Sequence, residues 1–390
     1  MNKAYNETWV ENINNQEIID DWFFRKLITD EQRKEAYQTF PVGFHQSNAF
    51  VKTGLFLFTC IVASAGLGFV SLFLFEIFSE SRFGFSIISL IYSFVFLYFL
   101  EYFIKKNNFY RSGVDNALLY AMLSAAFSAV VGFTDFDLPN WIYCIIALII
   151  LLPALLRYAD PIVAFVAYFT WIALWFFLVT KYPIGKVIIP FVIMFISAIT
   201  YLFIGFWKKK EASHYYTEPQ NIIEILALTT FYFGGNYLIV REGNALLNDL
   251  ASSMQIDFAP LFYIFSTIIP LFYVVYGLRK HDRKFLLVGI GATAFSIFTY
   301  RHYFSILPLE WALTIAGIFL VGLCIWAIRT LKTPNGRRSA LGLTSEAIGT
   351  NEYKNLEAFI VNQAMQQPHQ PNKTDFGKGD FGGGGAGSNY

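Results

Sequence analysis

Between residues 54 and 331 the chain is a series of apolar runs, each long enough to cross a bilayer, separated by short polar loops. A spanning helix needs about 20 apolar residues, because the hydrocarbon is about 30 Å thick and every backbone polar group must be satisfied within the segment. Ten such runs can be placed: 54–78, 83–104, 114–133, 139–156, 161–180, 186–207, 220–240, 258–278, 284–300 and 308–331. Composition agrees with this. The 390 residues are 55% hydrophobic and 15% charged, where a soluble domain carries about 25% charged residues. Too little polar surface remains to coat a soluble particle. The expected fold is an all-α integral membrane protein of about ten transmembrane helices.

Loop charge sets the expected orientation. With the N-terminus inside, the inner flanks hold 17 basic residues, among them Lys105, Lys106, Arg111, Arg157, Lys208, Arg279, Lys280, Arg283 and Lys284. The outer loops hold five: Arg82, Lys181, Lys186, Arg241 and Arg301. This alternation follows the positive-inside rule and places both termini in the cytoplasm. Residues 1–50 are polar and lack the pattern of a cleavable signal, so the first spanning helix is expected to direct its own insertion. Abundant Phe, Tyr, Ile, Asn and Lys suggest a bacterial source, hence a bacterial inner membrane.

Residues 1–53 read as a small cytosolic helical hairpin. Ile18, Ile19, Trp22 and Phe23 recur at helical spacing between Asn15 and Lys26. Thr29 and Gln32 form a capping box for a second helix reaching about Gln38, with Asp30 and Glu31 in its first turn. Such a unit has too little core to stand alone and must pack on the membrane domain, a second copy or a partner. Asn6-Glu7-Thr8 matches a glycosylation sequon, read here as a chance match on a cytosolic segment.

The stretch Trp22-Phe23-Phe24-Arg25-Lys26-Leu27-Ile28-Thr29-Asp30-Glu31-Gln32, followed by many spans, resembles the bacterial membrane family called domain of unknown function 2157. Its members begin with a tryptophan-bearing helix, a Leu-Ile-Thr/Ser corner and an acidic second helix. Ser112-Gly113-Val114-Asp115-Asn116-Ala117-Leu118 is similar to a loop-to-helix stretch in such proteins, with Asn116 where an acid is expected. Residues 298–318 are similar to the last hairpin of related families. The resemblance implies no activity and assigns no functional residue.

Enzyme signatures are missing. There is no HExxH, no glycine-rich phosphate loop and no pair of intramembrane aspartates. No two of the five histidines have metal-ligand spacing, and Cys60, Cys144 and Cys324 each sit inside an apolar run as packing residues. The reading is therefore non-enzymatic, with no catalytic residue, metal or cofactor. Glu76, Glu101 and Glu224 lie near helix ends, where they can reach the interface.

The candidate ligand or ion-pair cluster is Arg301 and His302 at the outer end of the ninth span, Glu310 opening the tenth, and Asn236 in the seventh. Asp135, Asp137, Glu242, Asp249 and Asp257 are candidate carboxylate partners on that side. Gly234-Gly235-Asn236, Pro260 and Pro270 are also the kind of residues that interrupt helices at transporter sites. Thr217-Glu218-Pro219-Gln220 reads as a second capping box.

Residues 332–390 read as a cytosolic tail, with a short amphipathic helix over 352–365 and a Gly-rich, low-complexity end expected to be disordered. The bilayer is one partner. A protein partner or a second copy is expected to engage residues 1–45 and 340–390. Net charge is +1, and nothing points to nucleic acid. Two functions remain open: a membrane scaffold or assembly component, and a secondary transporter or solute- or headgroup-binding protein using the seventh to tenth spans.

Overall fold

The computed structural model describes residues 3–45, 48–78, 83–209, 211–280 and 282–304, with isolated positions between 314 and 325. All regular elements among them are helices. Seven are long and apolar enough to cross a membrane, or eight if one bent pair forms a single span.

The chain opens with α1 (Glu7–Phe24) and α2 (Asp30–Thr39). The α1 helix begins earlier than its apolar face predicts, because the Asn6 side chain accepts the Trp9 N–H at 3.2 Å and caps it. The Thr29–Gln32 capping box is present in both directions. Six of the helices long and apolar enough to cross follow: α3 (Ala49–Phe78, over Ala49–Phe69), α4 (Gly84–Asn107), α5 (Val114–Thr134), α6 (Asn140–Tyr158), α7 (Pro161–Thr180) and α8 (Pro183–Trp207). A short 3-10 turn, Glu211–Tyr216, leads into α9 (Thr217–Gly235) and α10 (Tyr237–Leu247). The last described helices are α11 (Ala259–Lys280) and α12 (Arg283–Tyr303).

Three expectations change. The seventh span, 220–240, is not one helix: α9 and α10 meet at a bend of 74°. The capping box at Thr217 does not form, since the Thr217 hydroxyl donates back to the His214 carbonyl and no side chain caps α9. The ninth run is a helix, α12, but it lies outside the seven, with Arg283, Lys284, Arg301 and His302 at its ends. The tenth run, 308–331, and the tail helix at 352–365 lie outside the described residues.

Sequential helices pair as antiparallel hairpins, α4 on α5, α6 on α7, α8 on α9 and α11 on α12. One core joins α4 to α7 with the N-terminal residues Tyr5, Val10 and Phe44; a second lies among α8, α9, α11 and α12. The α7 helix packs on both α8 and α9 and so joins the two halves. Much apolar surface, such as Phe58, Ile61 and Leu202, stays exposed on these helices, which is compatible with insertion in lipid.

The hairpin does pack on the membrane domain, at the end where α4 and α6 stop and α5 and α7 start. Tyr5 donates its hydroxyl to Asp115 at 2.9 Å, and the Ala4 N–H donates to the Arg157 carbonyl at 3.0 Å. Asp115 is buried and also accepts from the Arg111 and Ser112 backbone N–H groups. Gly113 makes that turn, at φ 96°, where a side chain would strike the Lys52 carbonyl. Asp160 caps α7 through the Ile162 and Val163 N–H groups and accepts from Asn116 and Tyr120. Arg157 forks onto both oxygens of Glu101 at 2.7 and 2.8 Å. Arg111 pairs with Glu218. Burial, followed by the nearby Asp115 charge, holds the Tyr5 phenol well above its ordinary value.

Candidate solute site at a broken helix

The break between α9 and α10 follows from three consecutive residues. A side chain at Gly234 would collide with Met194 and the Pro190 carbonyl, and one at Gly235 would collide with Ile269 and Phe265. The pair thus lets the end of α9 approach α8 and α11 closely. Asn236 then leaves the helical conformation, at φ −83° and ψ 127°, and restarts the chain as the N-cap of α10. Its side-chain oxygen accepts the Leu238 and Ile239 N–H groups at 3.0 and 3.3 Å, satisfying donors that a helix start leaves open.

Asn236 is fully buried and heads a chain of neutral hydrogen bonds. Its amide donates to the Tyr232 hydroxyl at 2.8 Å and to Thr299 Oγ1 at 3.0 Å. Tyr232 and Ser296 lie 2.8 Å apart, and Ser296 donates to the Ser266 carbonyl at 2.5 Å. The Tyr237 N–H, freed by the break, donates to Ser266 Oγ at 2.9 Å. Five helices or half-helices therefore meet here: α9 and α10 through the break, α11 through Ser266, α12 through Ser296 and Thr299, and α8 through its contact with Gly234.

Tyrosines cover the α10 side. Tyr237 stacks on Tyr263 with centroids 4.0 Å apart, and Tyr303 stands edge-on to Tyr237 at 5.1 Å. The Arg241 guanidinium lies 4.4 Å from the Tyr303 ring and donates to the Ser253 carbonyl at 2.8 Å. Tyr303 donates to Glu242 at 2.5 Å. An arginine over a tyrosine face in a partly desolvated place is held by cation–π attraction as well as hydrogen bonding.

The candidate residues are only partly brought together. Asn236 stands at the centre of the site. Arg301 and His302 occupy the last turn of α12, with His302 beside Phe298 and Tyr303. No ion pair of Arg301 with the expected carboxylates occurs among the described residues. Glu310 lies outside the described residues. The cation beside this site is Arg241. It stands four residues after Tyr237, one helical turn, a pairing that could be read only once a helix start at Asn236 was known. Tyr232, Ser266, Ser296 and Thr299 carried no local signal beyond being polar in apolar runs. Among the described residues, no group of three His, Cys, Asp or Glu could hold a metal ion.

No protein-family model matches the chain, and no curated protein and no solved structure matches it.

Proposed function

We propose that the protein is a non-enzymatic membrane carrier that holds a small polar solute at the Asn236 break. The observation that carries this reading is the break between two apolar helices, α9 and α10, inside a buried hydrogen-bonded network. Apolar hydrocarbon tolerates irregular backbone only where protein or a cavity satisfies it, and discontinuous helices of this kind line solute sites in many carriers. The groups at the break are hydroxyls, an amide and a helix start, which suits a neutral or zwitterionic solute. Arg241 and the tyrosines Tyr237, Tyr263 and Tyr303 would close the site on the α10 side. In this reading the chain has about ten spans in a bacterial inner membrane, with both termini cytoplasmic; the charge bias of the loops supports that orientation.

The test is uptake by proteoliposomes of a labelled panel of amino acids, sugars and small ions. A solute taken up by the native protein, and lost in Asn236→Ala without loss of the folded monodisperse state, supports the reading. Uptake of none of the panel, or uptake unaffected by Asn236→Ala, contradicts it.

A second reading, a scaffold or assembly component, is favoured by a different observation. The α1–α2 corner leaves Ile18, Trp22, Phe24 and Leu27 about half exposed or more on a polar, soluble element. A stoichiometric protein that co-purifies with the native chain but not with Trp22→Ser/Leu27→Ser would support this role.

A further inference from the structure

A second constellation lies far from the break, at the end of the membrane domain that carries the N-terminal hairpin. Lys208 follows the last residue of α8, Glu224 stands in the second turn of α9, and Lys284 is in the first turn of α12. Lys208 Nζ lies 2.6 Å from Glu224 Oε2, and Lys284 Nζ bonds the same oxygen. Lys208 also donates to Asn221 at 2.8 Å. Two ammonium groups on one oxygen stand within about 5 Å of each other.

That closeness is costly unless the charges are matched. Glu224 is buried, and the two lysine side chains are only 25% and 28% exposed. One carboxylate neutralises one of the two cations. Asp282 acts on Lys284 through space and offsets part of the second charge, but its Oδ1 accepts the Lys284 and Phe285 N–H groups as the cap of α12 and makes no direct ion pair with either ammonium among the described residues. Each ammonium has three N–H donors. Lys208 spends two and Lys284 one within the cluster, so three of the six point elsewhere.

The setting indicates what they meet. Trp207, next in sequence, lies against Phe203 and Tyr216 at the helix end, where amphipathic rings mark the headgroup level of a bilayer. Exposed Lys209 adds a further positive charge. Oxyanions of phosphate are the abundant acceptors at that depth.

We propose that Lys208 and Lys284 form a binding site for a phosphate group at the membrane surface, with Glu224 holding the two ammonium groups close enough for one phosphate to bridge them. The phosphate belongs either to a phospholipid headgroup or to a free anion. The site is independent of the solute reading, because none of its residues touches the Asn236 network.

Native mass spectrometry of the full chain, released from micelles containing phosphatidylglycerol, phosphatidylcholine or inorganic phosphate, tests this. The native protein should retain phosphatidylglycerol in preference to phosphatidylcholine. Lys208→Gln and Lys284→Gln should each weaken retention about tenfold, the loss of one charge-assisted hydrogen bond. The exposed pair Lys105→Gln/Lys106→Gln, at the same end, should leave it unchanged. Glu224→Gln keeps a side-chain oxygen that accepts from both lysines but removes the competing charge, and should strengthen retention, which a merely structural role would not do. Displacement of the lipid by inorganic phosphate would identify a free anion as the ligand; persistence of the lipid would identify the headgroup. Equal retention of phosphatidylcholine, equal loss in the Lys105/Lys106 variant, unchanged retention in the Lys208 and Lys284 variants, or weaker retention in Glu224→Gln would overturn the proposal.

Discussion

The start and the end of α9 lie in regions held by different chemistry. At its start the protein uses charge: Glu224 between two lysines, Arg111 on Glu218, and nearby Asp115 and Asp160 at helix starts. At its end it uses an amide, hydroxyls and backbone groups. Such a division is what a bilayer would impose. An ion at the bilayer centre costs about 2.5–3.5 kcal/mol on insertion scales, whereas near the interface it keeps partners and some water. Neutral hydrogen bonds average about 0.6 kcal/mol each inside a membrane protein. The charged end should therefore contribute more to stability, and the neutral break should be easier to rearrange.

Four substitutions or conditions can break or sharpen that contrast. Asp115→Ala should have the largest effect, about 3–5 kcal/mol, because it leaves the Arg111 and Ser112 N–H groups, the Ser112 hydroxyl and Tyr5 without their buried acceptor. A marked drop in Tm in detergent, with faster proteolysis of residues 1–45, is the expected result. Asn236→Ala should cost about 2 kcal/mol, the sum of a lost cap and lost interior bonds. If Asn236→Ala proves the more damaging of the two, the ranking of the regions is reversed.

Raising pH tests how the N-terminal residues are docked, with Tyr5→Phe as the control that isolates Tyr5. The Tyr5 phenol is held above the ordinary tyrosine value of about 10 by burial and by Asp115. Its contribution is thus fully present below about pH 10 and is lost as pH rises through the elevated folded value. Alkaline titration should release residues 1–45 to protease, and Tyr5→Phe should flatten that dependence. The smallest effect, about 1 kcal/mol, is expected from Thr29→Ala, which removes the capping box of α2. Amide exchange should rise in α2 and remain unchanged around Asn236.

How much of this was legible in the sequence depends on the range of the interaction. Spans are legible because length and hydropathy are local properties, and Thr29–Gln32 because the partners of a capping box stand only three positions apart. Gly234-Gly235-Asn236 was visible as an unusual triplet, but an apolar run has the same hydropathy whether its helix is straight or bent by 74°. The bend is decided by what Gly234 and Gly235 meet on α8 and α11. Tyr5 and Asp115 are 110 residues apart, and Lys284 and Glu224 are 60 apart. In the sequence Glu224 looks like an acid near a helix end that reaches the interface, whereas two lysines from neighbouring helices hold it. In the sequence Arg301 stands out as a charge at a helix end, but the cation that packs beside the break is Arg241.

A carrier requires the break to open. The direct measurement is cysteine accessibility at Thr299, which is fully buried against Asn236. Cys60, Cys144 and Cys324 are first replaced by alanine, and Thr299→Cys is then exposed to a membrane-impermeant thiol reagent in sealed vesicles of each orientation. A carrier site predicts slow modification from both sides, suppressed by the transported solute. Complete protection from both sides, in protein that remains folded, would make the break a packing feature and contradict the account.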